Sequence, residues 1–265
     1  MLQIQGLNKT FSKNTANCKQ VFDNFSLKVN KGDFITIIGS NGAGKSTLLN
    51  LISGKLSSDS GSILLKDMDL TKMSEHKASK NIARVFQNPT LGTAPSMTIL
   101  ENMSLAIKKG RKYGFSFCVS KSKIPYFKEI LSQAGIGLEN HLYTKVGLLS
   151  GGQRQALTII MATMVNPDIL LLDEPTAALD PKTSKKICGQ IEKIVDEKKI
   201  TTLMVTHDLN QAIEVGNRLL MMHDGRVVLD IDENEKKNLT IDKLLDCFEK
   251  SQDKGMLSDR MLFSY

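Results

Sequence analysis

Hydrophobic and polar residues alternate from the start of the chain. Leu2, Ile4 and Leu7 interleave with Gln3 and Gln5 and predict a half-buried strand. Val21 to Val29 repeats the pattern through Phe22, Phe25, Leu27 and Val29, before the turn Asn30-Lys31-Gly32. Asp33 to Ile38 reads as a short buried strand, and Ser46 to Ser53 as the first turns of a helix. A polar turn over Ser57 to Gly61 leads into a strand at Ser62 to Lys66, and Asn81 to Gln87 predicts another, closed by Asn88-Pro89. From Met97 to about Ser150 the spacing becomes helical, with Ile99, Met103 and Ile107 at four-residue steps and Phe127, Ile130, Leu131 and Ala134 following suit. That block predicts a helical insertion. Ile169 to Leu172 is uninterrupted apolar sequence, as in a parallel strand covered on both faces. A helix at about Lys182 to Glu197, a strand at Thr201 to Val205, a helix at Leu209 to Val215 and a hairpin at Leu219 to Leu229 turning on Asp224-Gly225 complete the pattern. Thr240 to Lys250 is amphipathic, and the last dozen residues are expected to be loosely held.

Composition narrows the class. With 41% hydrophobic and 24% charged residues over 265 positions, the chain can bury a core and does not read as disordered. Its longest nearly apolar stretch, Ala156 to Val165, is broken by Thr158 and Thr163 and is about half of what a bilayer crossing needs. Met1-Leu2-Gln3-Ile4 lacks the charged and apolar regions of a secretory signal, so a cytosolic compartment is expected. Cys18, Cys118, Cys188 and Cys247 show no metal or disulfide spacing and are expected to be reduced and structural. A net charge of +7 suits a polyphosphate ligand, an anionic membrane surface or nucleic acid, without choosing among them.

Gly39-Ser40-Asn41-Gly42-Ala43-Gly44-Lys45-Ser46-Thr47 supplies the first chemistry. It fits the phosphate-wrapping loop between a strand and a helix. Its glycines allow turns closed to residues with a Cβ, so successive N–H groups can point at an anion, and the following helix adds the positive end of its dipole. Lys45 would reach the β- and γ-phosphates and Ser46 would coordinate Mg²⁺. Asp173 and Glu174 lie where the buried strand ends, the place where ligands sit on an open α/β sheet. Asp173 can join the Mg²⁺ shell, and Glu174 can polarise a water for attack on a γ-phosphate. Leu149-Ser150-Gly151-Gly152-Gln153 opens another helix with a hydroxyl and exposed N–H groups suited to an anion. A string this specific arises by chance about once in a few thousand chains of this size.

In this order of motifs the chain resembles, over nearly its full length, the ATP-binding subunits of ABC transporters. The resemblance implies an α/β P-loop NTPase fold with a RecA-like core, an antiparallel β subdomain and an inserted α-helical subdomain. Residues 1–265 would form a single ATPase domain, with the helical part at about 90–158 and a C-terminal hairpin and helix at about 219–265. It further implies ATP and Mg²⁺ as cofactors. Gln87 matches the family glutamine that touches Mg²⁺ or the lytic water, Ala178-Leu179-Asp180 the D-loop, and His207 the switch histidine that contacts the γ-phosphate. Phe11 stands where relatives stack a tyrosine on adenine, keeping the π-face and losing the hydroxyl. The Mg²⁺ set is then Ser46, Gln87 and Asp173, and Leu149 to Gln153 would act on a nucleotide held by a second subunit.

Partners follow from the resemblance: a second ATPase subunit, stacked head to tail as a homodimer, integral membrane permease subunits, and indirectly a substrate-binding lipoprotein. The location implied is the cytoplasmic face of the membrane, and nucleic acid is not expected. Arg154-Gln155-Ala156 and the segment Asn88 to Thr98 are similar to those of ATPases serving importers of the tryptophan/tyrosine type, whose permeases resemble those for branched-chain amino acids. Soluble ABC ATPases of DNA repair or translation are the alternative, with an exporter ATPase as a third; a single copy with a short separation between Lys45 and Ser150 favours transport. Lys108, Lys109, Arg111, Lys112, Lys121 and Lys123, interleaved with Tyr113, Phe115 and Phe117, mark a basic and aromatic segment open to lipid or permease, to solvent, or to nucleic acid.

Overall fold

The computed structural model describes residues 1–109, 119 and 121–253, the last five of these by backbone alone. They fall into two compact units, residues 1–78 with the chain beyond 200, and residues 79–200. In chain order the first unit begins with β1 (Leu2–Phe11), β2 (Lys19–Val29), β3 (Phe34–Gly39), α1 (Lys45–Ile52), β4 (Ser60–Leu65), β5 (Met68–Asp69) and α2 (Glu75–Ala78). The second comprises β6 (Ile82–Val85), α3 (Ile99–Ala106), α4 (Ile124–Gln133), α5 (Gly151–Thr163), β7 (Ile169–Asp173) and α6 (Pro181–Lys198). The chain returns to the first unit with β8 (Thr201–Val205), α7 (Leu209–Glu214), β9 (Arg218–His223), β10 (Arg226–Ile231), α8 (Glu233–Lys236) and α9 (Ile241–Asp253).

Two sheets build the first unit. One is antiparallel in the order β2-β1-β4-β5, with Leu2 opposite both Val29 and Leu65. Period-two alternation explains its start, where Leu2 and Ile4 are buried and Gln3 and Gln5 are exposed, and a register shift at Gly6 (φ 56°) then changes the phase so that Leu7 is buried as well. In the other, β3 lies parallel between β8 and β9, with Ile37 opposite Val205 and Leu220, and β10 returns antiparallel along β9. β3 and β8 are buried along nearly their whole length and so do not alternate polar with apolar residues; their polar members are the buried threonines Thr36, Thr201 and Thr202. The amphipathic tail forms α9, whose Leu244 and Cys247 join Ile38, Met221 and Leu229 in one core.

In the second unit β6 and β7 pair in parallel, Val85 opposite Leu172, and β7 is buried up to Asp173. Ile99, Met103, Phe127, Leu131, Leu157 and Ile160 from α3, α4 and α5 share a separate core. The helical expectation for Met97 to Ser150 was too broad. Gly135 and Gly137, at φ 61° and 73°, stop α4, and beyond it only a 3₁₀ turn at Val146–Leu148 is helical before α5. Cys18 is also unlike the expectation: it is exposed in a turn, whereas Cys188 and Cys247 are buried. Cys118 and the last dozen residues lie outside the described residues. Among the described residues no helix is long and apolar enough to cross a membrane.

Candidate active site

The first unit holds the loop Gly39 to Gly44 between β3 and α1. Its glycines are required by space and by backbone: Gly39 (φ 147°) pairs with Met222, and a Cβ there would stand 2.0 Å from Met222 O. Gly42 and Gly44 sit at φ 88° and 99°, conformations that residues with a Cβ rarely adopt. Gly44 caps α1, and neither a side-chain cap nor an acidic residue occupies that helix start. The first N–H groups of α1 therefore have no side-chain cap, and with the helix dipole they suit an anion. Lys45 is buried along its stem, and its Nζ donates to Gly39 O at 2.7 Å and Ser40 O at 2.9 Å, holding the ammonium over the loop. Ser46 is exposed in the first turn of α1, followed by half-buried Thr47; Ser40 and Asn41 complete the loop.

Two supports hold that loop in place. Gly225 N–H, in the β9–β10 turn, donates to Ala43 O at 3.2 Å, and Phe22 from β2 packs against Gly44. His207 follows β8, the strand beside β3, and Thr206 N–H donates to Ile37 O at 3.1 Å. The exposed imidazole thus belongs to the same end of the sheet as the phosphate loop. Phe11 ends β1, half-buried, with Lys9 Nζ 5.3 Å from its ring centroid.

The second unit brings the carboxylates together with Gln87. Asp173 closes β7 and Glu174 follows, and Gln87 comes from just beyond the neighbouring β6. Gln87 Nε2 donates to Glu174 Oε2 at 3.1 Å. Glu174 has φ 47°, a left-handed conformation that is strained for a residue with a side chain. Arg84 of β6, which composition and pattern did not single out, donates from Nη2 to Asp173 Oδ2 at 2.8 Å. Its charge beside a strand-end carboxylate was a signal only three-dimensional pairing could reveal.

The Leu149 to Gln153 string is a helix start with reciprocal capping. Ser150 Oγ accepts from Gln153 N–H at 3.3 Å, and Gln153 Oε1 accepts from Ser150 N–H at 3.1 Å. Leu149 anchors in the helical core, while Ser150 and Gly151 are exposed. A Cβ on Gly152 would stand 2.6 Å from Thr183 Cγ2, and one on Gly151 3.8 Å from Leu179 Cδ2, so the string abuts the Ala178-Leu179-Asp180 turn. Asp180 caps α6 by accepting from Thr183 N–H at 3.0 Å. The Thr183 side chain and backbone together hold its carboxyl below the usual range.

Ser46 in the first unit, and Gln87 and Asp173 in the second, each carry a hard oxygen of a kind Mg²⁺ accepts: a hydroxyl, an amide and a carboxylate. The basic segment is partly resolved by the structure: Lys109, half-buried, donates to Ile82 O at 3.1 Å, and burial pushes its pKa down, so it is not part of a solvated face. Arg111, Lys112, Tyr113, Phe115 and Phe117 lie outside the described residues.

Comparison with known proteins gives concordant findings. The sequence profile described as ABC transporter matches residues 22–177. The chain is 48% identical over 249 residues to a tyrosine transport ATP-binding protein of Clostridioides difficile (strain R20291), covering 94% of this chain and 99% of that one. It is 34% identical to the spermidine/putrescine import ATP-binding protein PotA of Fusobacterium nucleatum, over 86% of this chain and 56% of the relative. Its fold is similar, with a TM-score of 0.74 and 31% identity over 88% of this chain and 99% of the other, to the dimeric post-hydrolysis structure of the ATP-binding cassette MJ0796 bound to ADP and Pi.

Proposed function

The chain belongs to the ABC transporter family, and from that premise we propose how its residues serve ATP-driven import and what is carried. It is an ATPase, the ATP-binding and ATP-hydrolysing subunit that powers an importer. The proposed cargo is an aromatic amino acid of the tyrosine type, and the observation that carries this is the 48% identity to a tyrosine transport subunit along essentially its whole length.

Residues 39–47 would wrap the phosphates, Lys45 countering their charge and Phe11 stacking on adenine. Ser46, Gln87 and Asp173 would hold Mg²⁺, which when bound supplies charge neutralisation on the phosphates. Glu174 would polarise the attacking water, steadied by the Gln87 amide at 3.1 Å, and His207 would donate to the γ-phosphate. The string Leu149 to Gln153 would complete the site of a second subunit, with Asp180 beside it, in a head-to-tail homodimer that closes on ATP and opens after hydrolysis. Residues 1–265 are read as one ATPase domain, with the helical part at about 90–158 and the C-terminal hairpin and helix at about 219–265. Permease subunits, and through them a substrate-binding lipoprotein, are the expected partners, at the cytoplasmic face of the membrane.

The test is a pull-down of the tagged subunit from detergent-solubilised membranes of its own host, with the captured proteins identified by mass spectrometry. A multi-spanning permease with a binding lipoprotein is expected, and that lipoprotein should bind tyrosine. Ribosomal or DNA-repair proteins without a permease would overturn the transport reading; a lipoprotein that ignores aromatic amino acids would overturn the cargo alone.

A further inference from the structure

The start of β2 lies directly on the phosphate loop. A Cβ on Gly44 would stand 3.0 Å from Phe22 Cζ and 3.2 Å from Val21 Cγ1, and one on Gly225 would stand 1.8 Å from Val21 O. With Gly225 N–H donating to Ala43 O, Val21 and Phe22 are fixed against the second half of the loop. Lys19, two residues before Val21 and on the same face of the strand, reaches Gly42 in the middle of the loop. Its Nζ is 3.4 Å from where a Cβ of Gly42 would stand, and among the described residues nothing else, the chain neighbours of Gly42 apart, comes within 4 Å of that position.

The loop beside this ammonium is itself positive. Lys45 and the N-terminus of α1 both bring positive charge to the loop, and no acidic residue occupies the first turn of α1. Lys9, on the neighbouring strand, has its charge answered by Asp59 at 3.9 Å. Lys19 is exposed and, among the described residues, forms no ion pair or hydrogen bond. Like charges gathered on one loop repel, and an anion between them relieves the repulsion.

Its register says which part of the anion it meets. Lys19 is the cross-strand partner of Phe11, the residue read as the adenine platform. A side chain that begins beside Phe11 and ends over Gly42 spans the path from base to phosphate loop. We infer that Lys19 is a second cationic contact for the nucleotide, engaging from β2 the α- and β-phosphates that ADP and ATP share. The inference rests on the reading of residues 39–47 as the phosphate loop.

The test is equilibrium binding of fluorescent ADP and ATP analogues, and of adenosine in competition, to the full chain carrying Lys19→Gln, Lys19→Arg or Lys45→Ala. Lys19→Gln should weaken ADP and ATP alike, by about tenfold near 0.05 M salt and by much less near 0.5 M, as an exposed charge contact requires. Lys19→Arg should bind like the unmodified chain, adenosine should be indifferent to either change, and the melting midpoints should coincide. Full affinity in Lys19→Gln with loss in Lys45→Ala would remove the inference and leave the phosphate loop standing. Full affinity in Lys45→Ala would remove the loop reading itself. A loss confined to ATP, or one shared by adenosine, would also overturn the inference: the first points to the γ-phosphate, the second to a structural role.

Discussion

Arg84 donates from its guanidinium Nη2 to Oδ2 of Asp173 at 2.8 Å, across two parallel strands, with the two side chains only 9% and 15% exposed. Three residues on, Gln87 donates to Glu174, so two side chains from the end of β6 meet two successive carboxylates at the end of β7. The carboxylates are thereby pre-oriented by one neighbouring strand.

Removing Arg84 tests how much of that orientation is structural. Arg84→Ala would leave the Asp173 charge buried without this cation, which in such pairs costs about 3 kcal/mol. Urea unfolding should register a loss of that order, with Arg84→Lys recovering part of it. A loss below about 1 kcal/mol would show that the pair contributes little.

Glu174 sets stability against chemistry. At φ 47° its backbone costs about 1–2 kcal/mol relative to glycine, so Glu174→Gly should raise the melting midpoint while abolishing ATP turnover. Glu174→Gln keeps the backbone constraint and the shape of the side chain. It should bind ATP normally, stall turnover and accumulate as a closed dimer on gel filtration with ATP; full turnover would refute the role of water-polarising base.

Asp180 predicts an acid limb. Thr183, through its side chain and its backbone N–H, lowers the Asp180 pKa in the folded chain from the ordinary 3.8. Around that value the unfolded chain binds more protons than the folded one, so stability rises with pH there. The contribution is fully present above 3.8 and is lost as pH falls through the lowered folded value. Asp180→Asn retains the capping oxygen without the charge, so its melting midpoint should fall less steeply with acidification than that of the unmodified chain. Superimposable acid profiles would rule out this linkage.

Contiguous features were legible in the sequence, and features joined only by folding were not. The phosphate loop, the Ser150 helix start and the Asp224-Gly225 turn each lie within a few residues, and local backbone rules suffice to read them. Arg84 and Asp173, or Lys19 and Gly42, are far apart along the chain and meet only because strands pair and turns pack. Periodicity also misjudged the segment after α4: its apolar spacing continues past Gln133, but glycines at positive φ end the helix whatever the spacing says. The strain at Glu174 had no sequence signal, since nothing in a Glu-Pro pair demands a left-handed backbone.

The contact of Gly225 with Ala43 bears on how the chain can be engineered. A tight hairpin turn is ordinarily where a reporter domain, an epitope or a circular-permutation breakpoint is inserted with least harm. Here the turn is a strut beneath the phosphate loop, with no room even for a methyl group against Val21 O. An insertion at Asp224-Gly225 would press on the phosphate loop instead of leaving it undisturbed. The same hairpin is therefore a poor place for a passive tag.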